Sequence, residues 1–290
     1  PSDPKRAGRT RSGRDRRLGN PRRLGHPGIA MRGLGILIRL ALAATATLAP
    51  AFAGEVLVTG ESDRVAAVVD GDTVILDSGA SVRLVGIQAP KLALGRAGFK
   101  PWPLGPQAKA ALEALASERI VTLAYGGRRR DRHGRRLAHL IRDDGLWVQG
   151  ALLERGMARV YSFADNRARI ADMLAREDQA RRAGRGIWAH PFYWIRDAGD
   201  LRGANDSFQL VEGRVVDAAI VRGRAYLNFG PDWRTDFTVT VAGRDRDRFD
   251  AAHIDLAALA GHRVRVRGWL KRYNGPMIEL DHPEQLELLD

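Results

Sequence analysis

Residues 68–91 read VVDGDTVILDSGASVRLVGIQAPK. Within the stretch 64–87, three short runs rich in Val, Ile and Leu (RVAAVVD, DTVILD and SVRLVGI) are separated by Asp, Gly and Ser, the residues that favour turns. The pattern predicts a three-stranded antiparallel meander with Asp70, Gly71 and Asp72 at its first turn. One guanidinium, Arg83, interrupts the third run. That run then stops at Pro90, with Gln88, Ala89 and Lys91 around it.

Downstream of the meander, a Gly/Pro-rich loop over 92–106 leads into QAKAALEALASERI, where Ala111, Leu112, Leu115 and Ile120 recur at near-helical spacing. A strand, RIVTLAY, is followed by the arginine-dense turn GGRRRDRHGR and a second strand, RLAHLIRDDG. WVQGALLERGMA predicts a short helix and RVYSF a short strand. NRARIADMLAREDQARRAG predicts a long amphipathic helix capped by Asn166 and stopped by Gly184. Residues 54–195 are therefore expected to be mainly β with helices (α+β), a five-stranded barrel carrying three helices. The polar, aperiodic stretch 196–206 is expected to be a linker. From 207 to 290 a second run of strands, with one helical segment and an Asn274-Gly275 hairpin turn, predicts a small OB-like barrel.

The net charge of +13 is unevenly distributed. Residues 1–30 contribute +7 and residues 31–53 another +2, leaving +4 on residues 54–290. The first thirty residues are rich in Arg, Gly and Pro and show no apolar period, so they are expected to be disordered. Met31 opens a basic start, an apolar run over 40–50 and a small-residue site at Ala51 and Ala53, the pattern of a signal peptide cleaved after Ala53. Export to the periplasm or the extracellular space is expected, with no membrane span in the mature form. The competing reading is a basic arm followed by an uncleaved anchor. There is no cysteine, which excludes disulfide scaffolds and zinc-thiolate sites. A monomer is expected.

Taken singly, the residues that could carry chemistry have ordinary readings. Asp70-Gly71-Asp72 fits a hairpin turn, Arg83 fits an edge arginine with its charge in water, and Arg128–Arg136 fits a solvated hairpin tip. Each also has a chemical reading: paired carboxylates can hold a cation, and guanidinium forks match phosphate oxygens two at a time.

Taken in order, VVDGDTV, VRLVGIQAP, DRHGRRLAHL, WVQGALLERGMARVY and GIW resemble the staphylococcal nuclease (thermonuclease) family over residues 64–190. The resemblance implies a five-stranded OB-type nuclease barrel with three helices and a calcium-dependent phosphodiesterase, an endonuclease acting on DNA or RNA. It places Asp72 as the first calcium carboxylate and Arg83 and Arg135 as the catalytic phosphate-binding arginines. Arg132 and His133 fall at nucleotide-contacting positions, and Tyr161 lies one place short of a stacking ring. Trp188 matches a packing tryptophan.

The chain departs from the family where the second calcium carboxylate and the general base belong. Those positions hold Gln88 and Lys91, with Ala89 between them offering only its backbone carbonyl. Gln88 and Ala89 remain candidate metal ligands through their oxygens. The lost charge lowers calcium affinity, and an ammonium does not accept a proton near neutral pH, so hydrolysis is expected to be weakened or altered. Lys91 then becomes a candidate nucleic-acid contact, with Glu61 or Asp70 as substitute bases. The alternative is a non-catalytic protein that binds DNA or RNA, single-stranded above all, with the same fold. An envelope interaction protein without a nucleic-acid role is a third possibility. In the second unit, Tyr226, Phe229, Trp233, Trp269 and Tyr273 stand among many cations. That composition fits either single-strand binding or a core with a solvated arginine face at Arg263, Arg265 and Arg267.

Overall fold

The computed structural model describes residues 56–290, so the disordered segment and signal peptide expected over 1–53 lie outside the described residues. Strands β1 (Val58–Asp70), β2 (Thr73–Leu76) and β3 (Ser81–Leu84) form the predicted meander, followed by β4 (Ile87–Gln88) and helix α1 (Gly105–Ala116). Next come β5 (Ile120–Tyr125), β6 (Arg136–Arg142), α2 (Val148–Glu154), β7 (Arg159–Val160) and α3 (Ile170–Arg182). Five of the strands close a barrel in the order β1-β2-β3-β6-β5. Closure depends on β1, which spans 13 residues and pairs with β5 through its first half and with β2 through its second. Register shifts between Thr59 and Ser62, Val65 and Ala67, and Val68 and Asp70 give it the bend that a flat strand lacks.

The barrel is filled by Val65, Val74, Val82, Leu84, Leu123 and Leu140, against which α1 and α2 lay Leu112, Leu152 and Leu153. Each such side chain contributes roughly 1.5–3 kcal/mol by leaving water. Two local expectations change. Ile120 is not on the helix but opens β5, half-exposed. Asn166 does not cap α3, whose cap position is Arg169; its amide instead donates to the Arg128 carbonyl at 2.9 Å. Gly184, at φ +59°, does follow the helix end.

The second unit comprises β8 (Arg196–Asp197), β9 (Ser207–Arg214), β10 (Asp217–Val221), β11 (Arg224–Asn228), β12 (Thr238–Val241), helix α4 (Gly243–Ala251), β13 (Arg263–Arg272), β14 (Pro276–Leu280) and β15 (Leu286–Leu288). They form one curled eight-stranded sheet, with β10-β11-β12-β14-β13-β9-β8 in order and β15 on β13. Val211, Leu227, Phe237, Val239, Phe249, Val264 and Ile278 form its core. Within 196–206, read from sequence as a linker, β8 runs parallel to β9, and Leu201 and Ala204 are buried in this core.

Both sheets belong to one compact unit, and the contacts between them are ionic as well as apolar. Arg265 and Arg267 are buried rather than forming a solvated face. Arg265 pairs with Glu212 and Glu287, and Arg267 spans from Glu287 to Glu177 of α3 at 2.5 and 2.9 Å. The charge separates accordingly: residues 56–206 hold 24 Lys/Arg against 18 Asp/Glu, whereas residues 207–290 hold 12 against 13. The positive field that would attract a polyanion is centred on the first barrel.

Candidate active site

The turn from β1 to β2 is driven inward. Its Gly71 lies so close to the Ala89 and Ala108 methyls that a side-chain carbon there would sit 2.6 and 2.8 Å from them. Under that packing Asp72 is completely buried, and three donors hold it through four contacts. Lys91 Nζ donates to both carboxylate oxygens at 2.8 and 2.7 Å, the Ala89 amide donates at 2.8 Å, and Arg83 Nη2 lies 3.2 Å away. Burial alone would raise the Asp72 pKa, but Arg83, Lys91 and the hydrogen bonds overcome it and hold the carboxyl below its usual range. Asp70 shows the opposite balance. Burial, joined by the charge of Asp72, raises its pKa in spite of Lys91 Nζ 3.6 Å away.

Arg83 emerges from β3 beside this pair, and its guanidinium is largely committed to backbone. It donates to Leu84 O at 2.8 Å, Ile87 O at 2.7 Å and Asp72 O at 3.3 Å. These bonds fix its position, so it supplies a rigid positive charge at one wall of a cleft of about 480 Å³. The opposite wall is the arginine turn between β5 and β6. There Asp131 accepts from the backbone amides of His133 and Arg135, at 2.8 and 3.0 Å, and from Arg135 Nε at 2.7 Å, so that one carboxylate shapes the whole turn. Burial pushes the Asp131 carboxyl up, but the Arg135 side chain, the two backbone amides and the Arg135 charge together outweigh it and hold the carboxyl below its usual range.

The cleft is thus lined by Arg83, Arg132, His133, Arg135 and Tyr161, which sequence reasoning had placed together. Arg128, from the turn whose guanidinium forks match phosphate, also lines it, and so do Phe163, Asp165 and Asn166, which the sequence did not point to. They arrive because the segment after β7 folds across the arginine turn: Arg128 N donates to Asp165 O at 2.9 Å. The signal was weak, a second aromatic, Phe163, in RVYSF and an Asn that fits a helix cap equally well. Gly127 is where the two segments cross; a side-chain carbon there would lie 2.0 Å from Asp165 O. Gly127→Ala is expected to push the segment off the turn, destabilising the chain by about 1–3 kcal/mol and weakening ligand binding together with the melting midpoint.

The residues expected to hold calcium do not assemble as a cation site. Gln88 directs its side-chain oxygen to Arg159, which donates from Nε and Nη2 at 3.0 and 2.7 Å. Ala89 presents its N–H to Asp72, and Lys91 places its ammonium on the only expected carboxylate. Among the described residues no group of three or more His, Asp and Glu is disposed to hold a metal ion. A divalent cation at Asp72 would face an ammonium at ion-pair distance, so the donor set does not fit it. The substitute bases are also engaged. Glu61 accepts from Tyr125 OH at 3.0 Å and pairs with Arg136, and neither Glu61 nor Asp70 lines the cleft.

Comparison with known proteins places this geometry. Residues 81–190 match the family described as staphylococcal nuclease homologue. An "Uncharacterized endonuclease" of Escherichia coli O157:H7 is 31% identical over 151 residues, covering 49% of this chain and 90% of that protein. A "Thermonuclease" of Staphylococcus intermedius is 31% identical over 139 residues, covering 45% of this chain and 78% of that protein. The five-stranded barrel, the arginines facing each other across its cleft and these alignments agree, and the chain belongs to the staphylococcal nuclease homologue family.

Proposed function

We propose that this member of a nuclease family grips the phosphodiester backbone of DNA or RNA between Arg83 and the Arg128–Arg135 turn without a resident divalent cation, and that its hydrolysis is slow. The observation that carries this is Lys91 Nζ at 2.8 and 2.7 Å from both oxygens of Asp72. The ammonium supplies, on the Asp72 carboxylate beside Arg83, the positive charge that a cation would bring, but it neither acidifies a water nor accepts a proton. Arg83 stabilises negative charge from a fixed position. Arg135, about one-third exposed, is the guanidinium able to turn from Asp131 to a phosphate. Loss of a general base typically removes about 10² to 10⁴ in rate, so binding outlasts fast turnover. The relatives named endonuclease and thermonuclease support the substrate class.

Export as a signal-peptide protein, expected from residues 31–53, belongs to the same proposal. No helix among the described residues is long and apolar enough to cross a membrane.

The test is binding of a fluorescent single-stranded oligonucleotide to the full chain, in chelator and in calcium, across a salt series. Equal affinity in both media is expected, falling with salt, and Arg135→Ala is expected to weaken it and flatten the salt slope by about one. Cleavage on the same samples should be slow and indifferent to calcium. Binding that appears only with calcium, or that Arg135→Ala leaves unchanged, rejects the proposal.

A further inference from the structure

Tyr161 is not only a wall of the cleft; it is also the place where the second sheet reaches it. The indole N–H of Trp269, on β13, donates to the Tyr161 hydroxyl at 2.8 Å. Tyr161 in turn packs edge-on against Phe163 at 4.9 Å and against Phe208 at 4.8 Å, and Phe208 is the residue directly across the ladder from Trp269. Phe208 is buried, whereas Trp269 and Phe163 are each nearly half exposed. Large rings left open to water on either side of a pinned tyrosine form a ledge that runs out of the cleft. Two residues further along the chain from Trp269 comes Lys271, exposed and only loosely paired with Glu279 at 3.9 Å, and after it Tyr273 at 69% exposure. Two residues of strand advance about 7 Å, which separates Lys271 from Trp269 on β13, and Tyr273 opens the turn just past the strand's end.

Resting on the phosphodiester cleft above, we propose that Trp269 is a stacking subsite for the base that flanks the gripped phosphate, and that Lys271 and Tyr273 continue this track for a single strand. Open rings alternating with cations hold unpaired bases and their backbone, and the near-neutral charge of the second unit leaves stacking as its contribution. A duplex keeps its bases stacked on one another and offers this ledge no free face.

The subsite is tested on the full chain with a single-stranded oligonucleotide of about eight nucleotides and with a set in which one base at a time is removed. Trp269→Ala is expected to weaken the intact oligonucleotide by about 5- to 150-fold, the range of one lost stacking partner, while Trp269→Phe stays near the parent. With the flanking base absent, parent and Trp269→Ala should bind alike. Parent-like binding by Trp269→Ala overturns the subsite. So does a loss of the same size for every oligonucleotide in the set, the mark of a merely structural brace. Trp269→Phe, which keeps a ring and loses the hydrogen bond to Tyr161, separates these if the Ala variant is unstable: a loss as large as that of Trp269→Ala also overturns the subsite. Arg135→Ala run alongside keeps the two proposals apart. If Arg135→Ala binds like the parent, the phosphodiester cleft fails; if it fails to bind while Trp269→Ala binds normally, only the stacking subsite does.

Discussion

Replacing Gln88 by Asp and Lys91 by Glu in one variant is expected to create calcium-dependent cleavage about 10² to 10⁴-fold faster than that of the parent. Removing the ammonium frees both Asp72 oxygens, which Lys91 now occupies at 2.8 and 2.7 Å. The introduced glutamate adds a carboxylate where the ammonium stood, and the introduced aspartate adds one beside Arg159, which keeps a partner whether or not a cation arrives. With Asp70 close by, the Asp72 cluster would then hold several carboxylates against the guanidinium of Arg83, an arrangement favourable only when a divalent cation neutralises it. The variant should therefore melt below the parent in chelator and regain stability with calcium. Lys91→Glu alone should recover part of both effects. A double variant that neither binds calcium nor gains rate would mean that the Asp72–Lys91 pair is not what limits the chemistry.

Removing one arginine far from the cleft should have the largest effect on stability. Arg267 is 2% exposed and joins Glu177 of α3 to Glu287 of β15 at 2.9 and 2.5 Å. Glu177 is equally buried and also accepts the Val160 backbone amide at the start of the cleft segment. Arg267→Ala leaves Glu177 without its cation in a site closed to water, while Glu287 keeps Arg265, and breaking a buried pair in this way costs about 3–5 kcal/mol. Urea unfolding at neutral pH measures it. Pairing Arg267→Met with Glu177→Gln removes both charges and should lose much less than the single variant. A change within about 0.5 kcal/mol for Arg267→Ala would show that the two sheets separate in solution.

The barrel was readable because its strands are short, rich in β-branched residues and punctuated by Asp, Gly and Ser, so each element follows from local letters. What decides its closure, three register shifts along β1, has no letter of its own. The same division runs through the site. Arg83, Arg132, His133, Arg135 and Tyr161 were grouped by the family resemblance that the motif order carries, and the structure brings them around one cleft. The partnership of Gln88 with Arg159 joins residues 71 positions apart and depends on the two-residue ladder between β4 and β7, which periodicity cannot reveal. Nor could composition show that Lys91 would bend its flexible stem onto Asp72 instead of pointing to solvent. In the second unit, the alternation Arg263, Arg265, Arg267 suggested a wet face. Glu177, Glu212 and Glu287, distant in sequence, turn two of those arginines into a buried ionic seam.

Calcium titration of the unmodified chain, followed by its melting midpoint, tests most directly whether the Lys91 ammonium has taken the place of a cation. No shift is expected up to roughly millimolar calcium, in the parent or in Asp72→Asn. A midpoint that climbs with calcium in the parent and stays flat in Asp72→Asn would contradict the account, since it would place the cation on the carboxylate that Lys91 holds.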